Sequence, residues 1–158
     1  MGIEIERKFL VVDTTPWRDS APATKLWQGY LSTVPERTVR VRIKGDRAMI
    51  TVKGKTEGAT RAEFEYDIPV ADANEMMGLC EQPTIEKTRY KVEHGGYTWD
   101  VDIFHGVNEG LLLAEVELES EDEDVPLPAW VGEEVTGDRA YYNANLIARP
   151  YSTWDDKD

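Results

Sequence analysis

Two stretches of the chain each set a pair of carboxylates two residues apart: Glu4-Ile5-Glu6-Arg7-Lys8 and Glu115-Val116-Glu117. On a β-strand that spacing puts both groups on one face. Such a pair is unfavourable unless a cation sits between them, and hard divalent ions such as Mg²⁺ or Mn²⁺ take oxygen ligands of this kind. Arg40-Val41-Arg42 and Lys87-Thr88-Arg89 repeat the spacing with the opposite sign. Basic groups so placed suit a multivalent anion, of which phosphate is the natural case. Lys8 and Lys53 extend the basic set, and Glu63, Glu65 and Asp102 the acidic one. The six cations nearly neutralise the seven carboxylates, so one wet cavity can hold them all. Unpaired, each would be costly to desolvate.

The elements that must position these groups show a dominant period of two. Apolar and charged residues alternate from Ile3, from Val39, from Met49, over 61–68, over 85–92, over 100–104 and over 113–119. With a weaker stretch at 25–32, that predicts about eight strands. Gly45-Asp46 and Gly95-Gly96 read as hairpin turns. Two helices are expected, one over 71–80 with Asp72 as a possible cap and Pro83 beyond it, the other over 136–148 with Pro150 beyond its end. An ordinary half-buried strand turns its polar face to water, yet the same charge types recur on strand after strand. The pattern predicts an α+β, mainly antiparallel β fold: a closed eight-stranded barrel with a polar lumen and a few helices outside and at one mouth. One domain over 1–158 is expected.

The 158 residues include 18 Lys and Arg against 31 Asp and Glu, a net charge of -13, which argues against a nucleic-acid polymer as partner. The basic groups concentrate over 36–61, and none falls between Glu115 and Glu134. A lone Cys80 excludes an intramolecular disulfide framework. The charged start and the lack of a long apolar run predict a cytoplasmic protein with no membrane partner. His94 and His105, two separated histidines with one cysteine, do not make a zinc site. The five Trp are too scattered for a base-stacking platform and read as packing residues. No Gly-x-x-x-x-Gly-Lys phosphate loop is present.

The ordered set of motifs resembles the CYTH, or triphosphate tunnel metalloenzyme, superfamily. It comprises Glu4-x-Glu6-x-Lys8, Gln28-Gly29-Tyr30, Arg40-x-Arg42, Thr51-x-Lys53, Arg61-x-Glu63-x-Glu65, Lys87-x-Arg89-Tyr90, Asp102-Ile103-Phe104 and Glu115-x-Glu117. The resemblance implies an antiparallel tunnel taking a triphosphate with Mg²⁺ or Mn²⁺, most like the small bacterial inorganic triphosphatases. Lys8, Arg40, Arg42, Lys53, Lys87 and Arg89 would clamp the phosphoryl groups, with Arg139 as an extra contact. Glu4, Glu6, Glu115 and Glu117 would hold metal. Asp102, Glu63 and Glu65 could hold a second ion or orient the arginines. Among so many cations Lys87 has its pKa pushed down and could deprotonate water, assisted by Tyr30; alternatively Lys87 is one more phosphate ligand and Tyr30 a wall residue.

Metal-dependent hydrolysis of inorganic triphosphate is the expected activity. A class IV adenylyl cyclase would use the same clamp on ATP, a thiamine or nucleoside triphosphatase would see the same phosphates, and a polyphosphate-binding module would use the clamp without turnover. The resemblance also implies a possible homodimer.

Overall fold

The computed structural model describes residues 2–154. Nine strands form it: β1 (Gly2–Val11), β2 (Ala23–Ser32), β3 (Arg37–Lys44), β4 (Arg47–Gly54), β5 (Thr60–Ile68), β6 (Glu81–His94), β7 (Tyr97–Phe104), β8 (Leu112–Glu117) and β9 (Val131–Glu134). Two α-helices join them, α1 (Val70–Met77) and α2 (Asn145–Ala148). The sheet runs β5-β4-β3-β2-β6-β7-β8-β1, all neighbours antiparallel, and β1 pairs back with β5 to close an eight-stranded barrel. The ninth strand lies outside it, paired with β1 at Phe9 and Val11. The two glycine turns form as expected, with Lys44 opposite Arg47 and His94 opposite Tyr97. Gly45 and Gly95 take φ of 63° and 61°, the left-handed region that these turns require.

Strand β1 changes partner along one edge. Gly2–Ile5 pair with β5, the Glu6 amide donates to the Ala59 carbonyl, Lys8 exchanges bonds with Val135 and Thr136, and β9 takes over from Phe9. The opposite edge pairs with β8 throughout Glu6–Leu10.

Alternation sends the apolar side chains outward, where two separate coverings bury them. Helix α1 lies over β2, β3 and β4, with Ala73 and Met77 against Val41 and Ala48. Over β1, β6, β7 and β8 the cover is aromatic loop, not helix: Trp17, Val125 and Trp130 pack on Phe9, Trp99 and Val116. The indoles of Trp99 and Trp130 meet edge-on with centroids 5.8 Å apart. Rings of this size bury enough area to seal a sheet without regular structure beneath them.

The expected helices are corrected in detail. Helix α1 starts at Val70 after Pro69 and uses no side-chain cap, so Asp72 lies within its first turn. The second helix, expected over 136–148, is a broken strap. A 3₁₀ turn over Arg139–Tyr141 leads through an extended Tyr142 to the single turn of α2. The break lets Leu146 and Ile147 bury against Ile85, Phe104 and Leu113, filling one barrel mouth with an apolar plug.

Candidate active site

Inside the barrel is a cavity of about 240 Å³. Its lining includes nine Lys or Arg against seven Asp or Glu, a local excess of positive charge in a chain whose net charge is -13. The strand order concentrates carboxylates on one side and cations on the other, with Lys8, Lys53 and Arg61 among the carboxylates. Adjacent strands β5, β1 and β8 supply Glu63, Glu4 and Glu117, and across the barrel β3 and β6 supply Arg40, Arg42, Lys87 and Arg89.

On the acidic side, carboxylate oxygens of Glu4, Glu63 and Glu117 lie within 4.8 Å of one another. Burial raises the Glu4 carboxyl, but Lys53 and Arg61 outweigh it and hold it below its usual value. The Lys53 Nζ lies 3.0 Å from Glu4 Oε1, and Arg61 Nε 3.2 Å from the same oxygen. Burial, with the charges of Glu4 and Glu63, pushes Glu117 upward. Burial and the neighbouring Glu115 and Glu4 push Glu6 up to about 7. Glu6 and Glu117 thus sit where burial and neighbouring carboxylates disfavour a second negative charge. Three convergent oxygens are the donor set a hard divalent cation takes, so the residues fit such an ion.

On the basic side, Arg40 donates to Thr51 at 3.2 Å and lies 3.6 Å from Glu65. Its buried Nε is one of three buried side-chain donors without a partner among the described residues. Arg42 is pushed down to about 9 by burial and by the cations Arg40 and Arg89. Burial lowers Lys87 to about 7 against the pull of Asp102, and Arg89 and Arg42 add to the lowering. Its Nζ lies 2.7 Å from Asp102 and 2.8 Å from the Asn143 carbonyl oxygen.

Other expected residues are already engaged. Asp102 is 2% exposed and takes a bidentate pair from Arg89 at 2.8 and 2.9 Å. Burial would raise it, but Arg89 and Lys87 hold it far below its usual value. It orients the two cations and is not among the cavity-lining residues. Lys8 lies 3.3 Å from Glu115. Burial disfavours the Glu115 anion, and Lys8 and Arg89 more than reverse that, to about 2. Tyr30 lines the cavity, and Arg139 is exposed at its rim.

Of the residues in and beneath the lumen wall with no role in the expected site, four bear on its chemistry. Arg61 shares its face with Glu63 and Glu65, so strand parity alone would find it. Gln28, in β2, is fully buried and accepts from Arg42 Nε at 2.9 Å. Tyr142 and Asn143 come from the strap, where no periodicity marks them; the Tyr142 ring lies 5.3 Å from Lys8 Nζ.

The CYTH domain family profile matches residues 2–151. The chain belongs to the CYTH family. CYTH relatives include an inorganic triphosphatase of Acetivibrio thermocellus, 46% identical over 98% of this chain and 99% of its own length. An inorganic triphosphatase of Nitrosomonas europaea is 39% identical over 90% of this chain and 95% of its own. The solved structure of the inorganic triphosphatase NE1496 superposes with a TM-score of 0.67 at 36% identity, covering 91% of this chain and 93% of that one. Membership of the CYTH metalloenzymes implies a divalent metal. No helix among the described residues is long and apolar enough to cross a membrane.

Proposed function

We propose that this protein hydrolyses inorganic triphosphate to pyrophosphate and phosphate, using a divalent cation, Mg²⁺ or Mn²⁺. The observation behind this reading is the facing of a carboxylate cluster and a cationic wall across one small cavity with a net positive lining. The names of the two curated relatives support it. Arg40, Arg42, Lys8, Lys53 and Arg89 bind the phosphoryl oxygens, with Arg139 at the rim. The unpartnered Arg40 Nε is a donor suited to an anion. Glu4, Glu63 and Glu117 hold the cation, with Glu6 beside them. When bound, the ion withdraws charge from phosphate oxygens.

Phosphoryl transfer needs in-line positioning and charge neutralisation more than covalent participation. Water attacks a terminal phosphorus, the bridging P–O bond breaks toward pyrophosphate, and the water proton passes to the Lys87 amine. A Lys near pH 7 is matched to that task. Tyr30, in the same cavity, serves as a wall residue that can share the proton.

The test supplies purified protein with Mg²⁺ or Mn²⁺ and either tripolyphosphate or ATP, and assays phosphate, pyrophosphate and cyclic AMP. Equimolar phosphate and pyrophosphate from tripolyphosphate is the expected result. Cyclic AMP with pyrophosphate from ATP makes the protein a cyclase. Tight binding without phosphate release makes it a binding module.

A further inference from the structure

We infer that Asn143 is a positioning residue for Lys87, the last link of a hydrogen-bond relay that begins at Arg42. The inference rests on the reading of Lys87 as the proton acceptor in triphosphate hydrolysis.

The polarity of the relay follows from one residue that can only donate. A guanidinium has no acceptor, so the Arg42 Nε at 2.9 Å from Gln28 fixes the Gln28 carbonyl oxygen toward it. The Gln28 amide nitrogen must then point the other way, and it lies 3.0 Å from Asn143 Oδ1. Asn143 therefore presents its oxygen to Gln28, and that same oxygen lies 2.8 Å from Lys87 Nζ. Were the Asn143 amide flipped, its nitrogen would face two donors.

The consequence falls on the Lys87 amine. Its two fixed neighbours, the Asp102 carboxylate and the Asn143 carbonyl oxygen, are both acceptors. In the neutral amine each takes one N–H, and the lone pair is left to point elsewhere. Lys87 lines the cavity, so apart from the Phe104 ring, whose centroid lies 5.2 Å from Nζ, its amine faces the space that a water molecule or phosphate would enter. A base needs its lone pair aimed at the proton it removes, and two acceptors on the other side provide that aim. The charged groups around Lys87 are Asp102 of β7, Glu115 of β8, Arg42 of β3 and Arg89 of β6. Gln28 and Asn143 add no charge, and the Tyr30 phenol lines the same cavity. Asn143 owes its place to the strap, which Leu146 and Ile147 anchor in the apolar plug.

The experiment compares the wild-type protein with Asn143→Leu and Asn143→Asp, reading steady-state kinetics and the side-chain amide protons of Gln28 by NMR. With the relay in place, one Gln28 amide proton resonates downfield. It moves upfield in Asn143→Leu and stays downfield in Asn143→Asp, which keeps the acceptor. Asn143→Leu lowers kcat roughly tenfold to a hundredfold with KM within about threefold, the loss expected for a hydrogen bond to a charged or charging group. Asn143→Asp moves the acidic limb of the kcat profile to higher pH, because a carboxylate beside Lys87 favours the ammonium form. A Gln28 signal that Asn143→Leu leaves unmoved overturns the relay. A kcat within twofold of wild type in Asn143→Leu, or an unmoved limb in Asn143→Asp, overturns its positioning of Lys87. Should wild-type protein release no phosphate from tripolyphosphate, the proposed function fails, and the relay is still decided by the Gln28 signal.

Discussion

Lys53 of β4 reaches past β5 to Glu4 of β1, its Nζ 3.0 Å from one carboxylate oxygen and 3.1 Å from the other. A group proposed to bind phosphate is thus held by a group proposed to bind the cation. In Glu4→Gln, Lys53 and Arg61 lose their shared carboxylate, and the three-oxygen cluster loses one charge. Turnover of tripolyphosphate is expected to drop roughly 100-fold or more, with a higher metal concentration needed for half-maximal rate. A variant with wild-type metal dependence removes Glu4 from the metal set.

Lys87 and Arg89 both contact Asp102, but only Lys87 can give up a proton and offer a lone pair. Arg89, pinned by a two-pronged pair, stays charged; burial opposes this, and Asp102 overcomes it. Lys87→Ala should cut kcat by about 10²- to 10⁴-fold, whereas Arg89→Ala should act mainly on KM. Steady-state kinetics on both variants decides it: equal losses of kcat reduce Lys87 to a phosphate ligand.

Stability should report the same lysine. Burial brings Lys87 to about 7 in the folded protein, against 10.5 for the ordinary side chain. Between those values the unfolded chain binds the proton and the folded chain does not, so this group adds stability as pH rises from about 7 toward 10.5. The melting temperature of wild type minus that of Lys87→Met should therefore grow across that window. A difference that stays flat or shrinks shows that the folded lysine keeps its proton.

Metal removal gives a further measurement. If Glu4, Glu63 and Glu117 hold a divalent ion, adding Mg²⁺ or Mn²⁺ to chelator-treated protein at about 100 times its Kd stabilises the fold by about 2.7 kcal/mol. That corresponds to a melting shift of roughly 5–10 °C. The double variant Glu63→Gln, Glu117→Gln should lose most of the shift. An equal shift in the variant places the ion elsewhere.

Much of this architecture is legible in the sequence because a barrel wall has only two faces. Alternation at Glu4-Glu6-Lys8 or Arg40-Arg42 states which side chains share a side, and a near balance of charge states that the side is enclosed. The same logic reaches Arg61, which has the parity of Glu63. It does not reach the strap. Asn143 and Tyr142 lie in a segment without regular period, placed by the burial of Leu146 and Ile147 some residues away. Strand β9 is equally silent: Val131-Gly132-Glu133-Glu134 has no alternation and exists because β1 leaves part of an edge unpaired. Nor does parity tell which carboxylate is spoken for. Asp102 and Glu117 alternate alike, yet the register sets Asp102 opposite Arg89 and Glu117 opposite Glu6.

The first strand of the chain is also the one that completes the wall. Its partners at positions 113–117 and 131–134 are synthesised roughly a hundred residues after it, and its junction with β5 is only four residues long. Pairings so distant in sequence form slowly. Until they form, Glu4 has not met Lys53 and Arg61, nor Lys8 Glu115, and these groups stay solvated by water and screened by salt. Closure of the cylinder is therefore the moment at which these pairs are neutralised, whereas Arg89–Asp102 and Lys53–Glu63 form within their own hairpins, and ionic strength should tune the rate of closure.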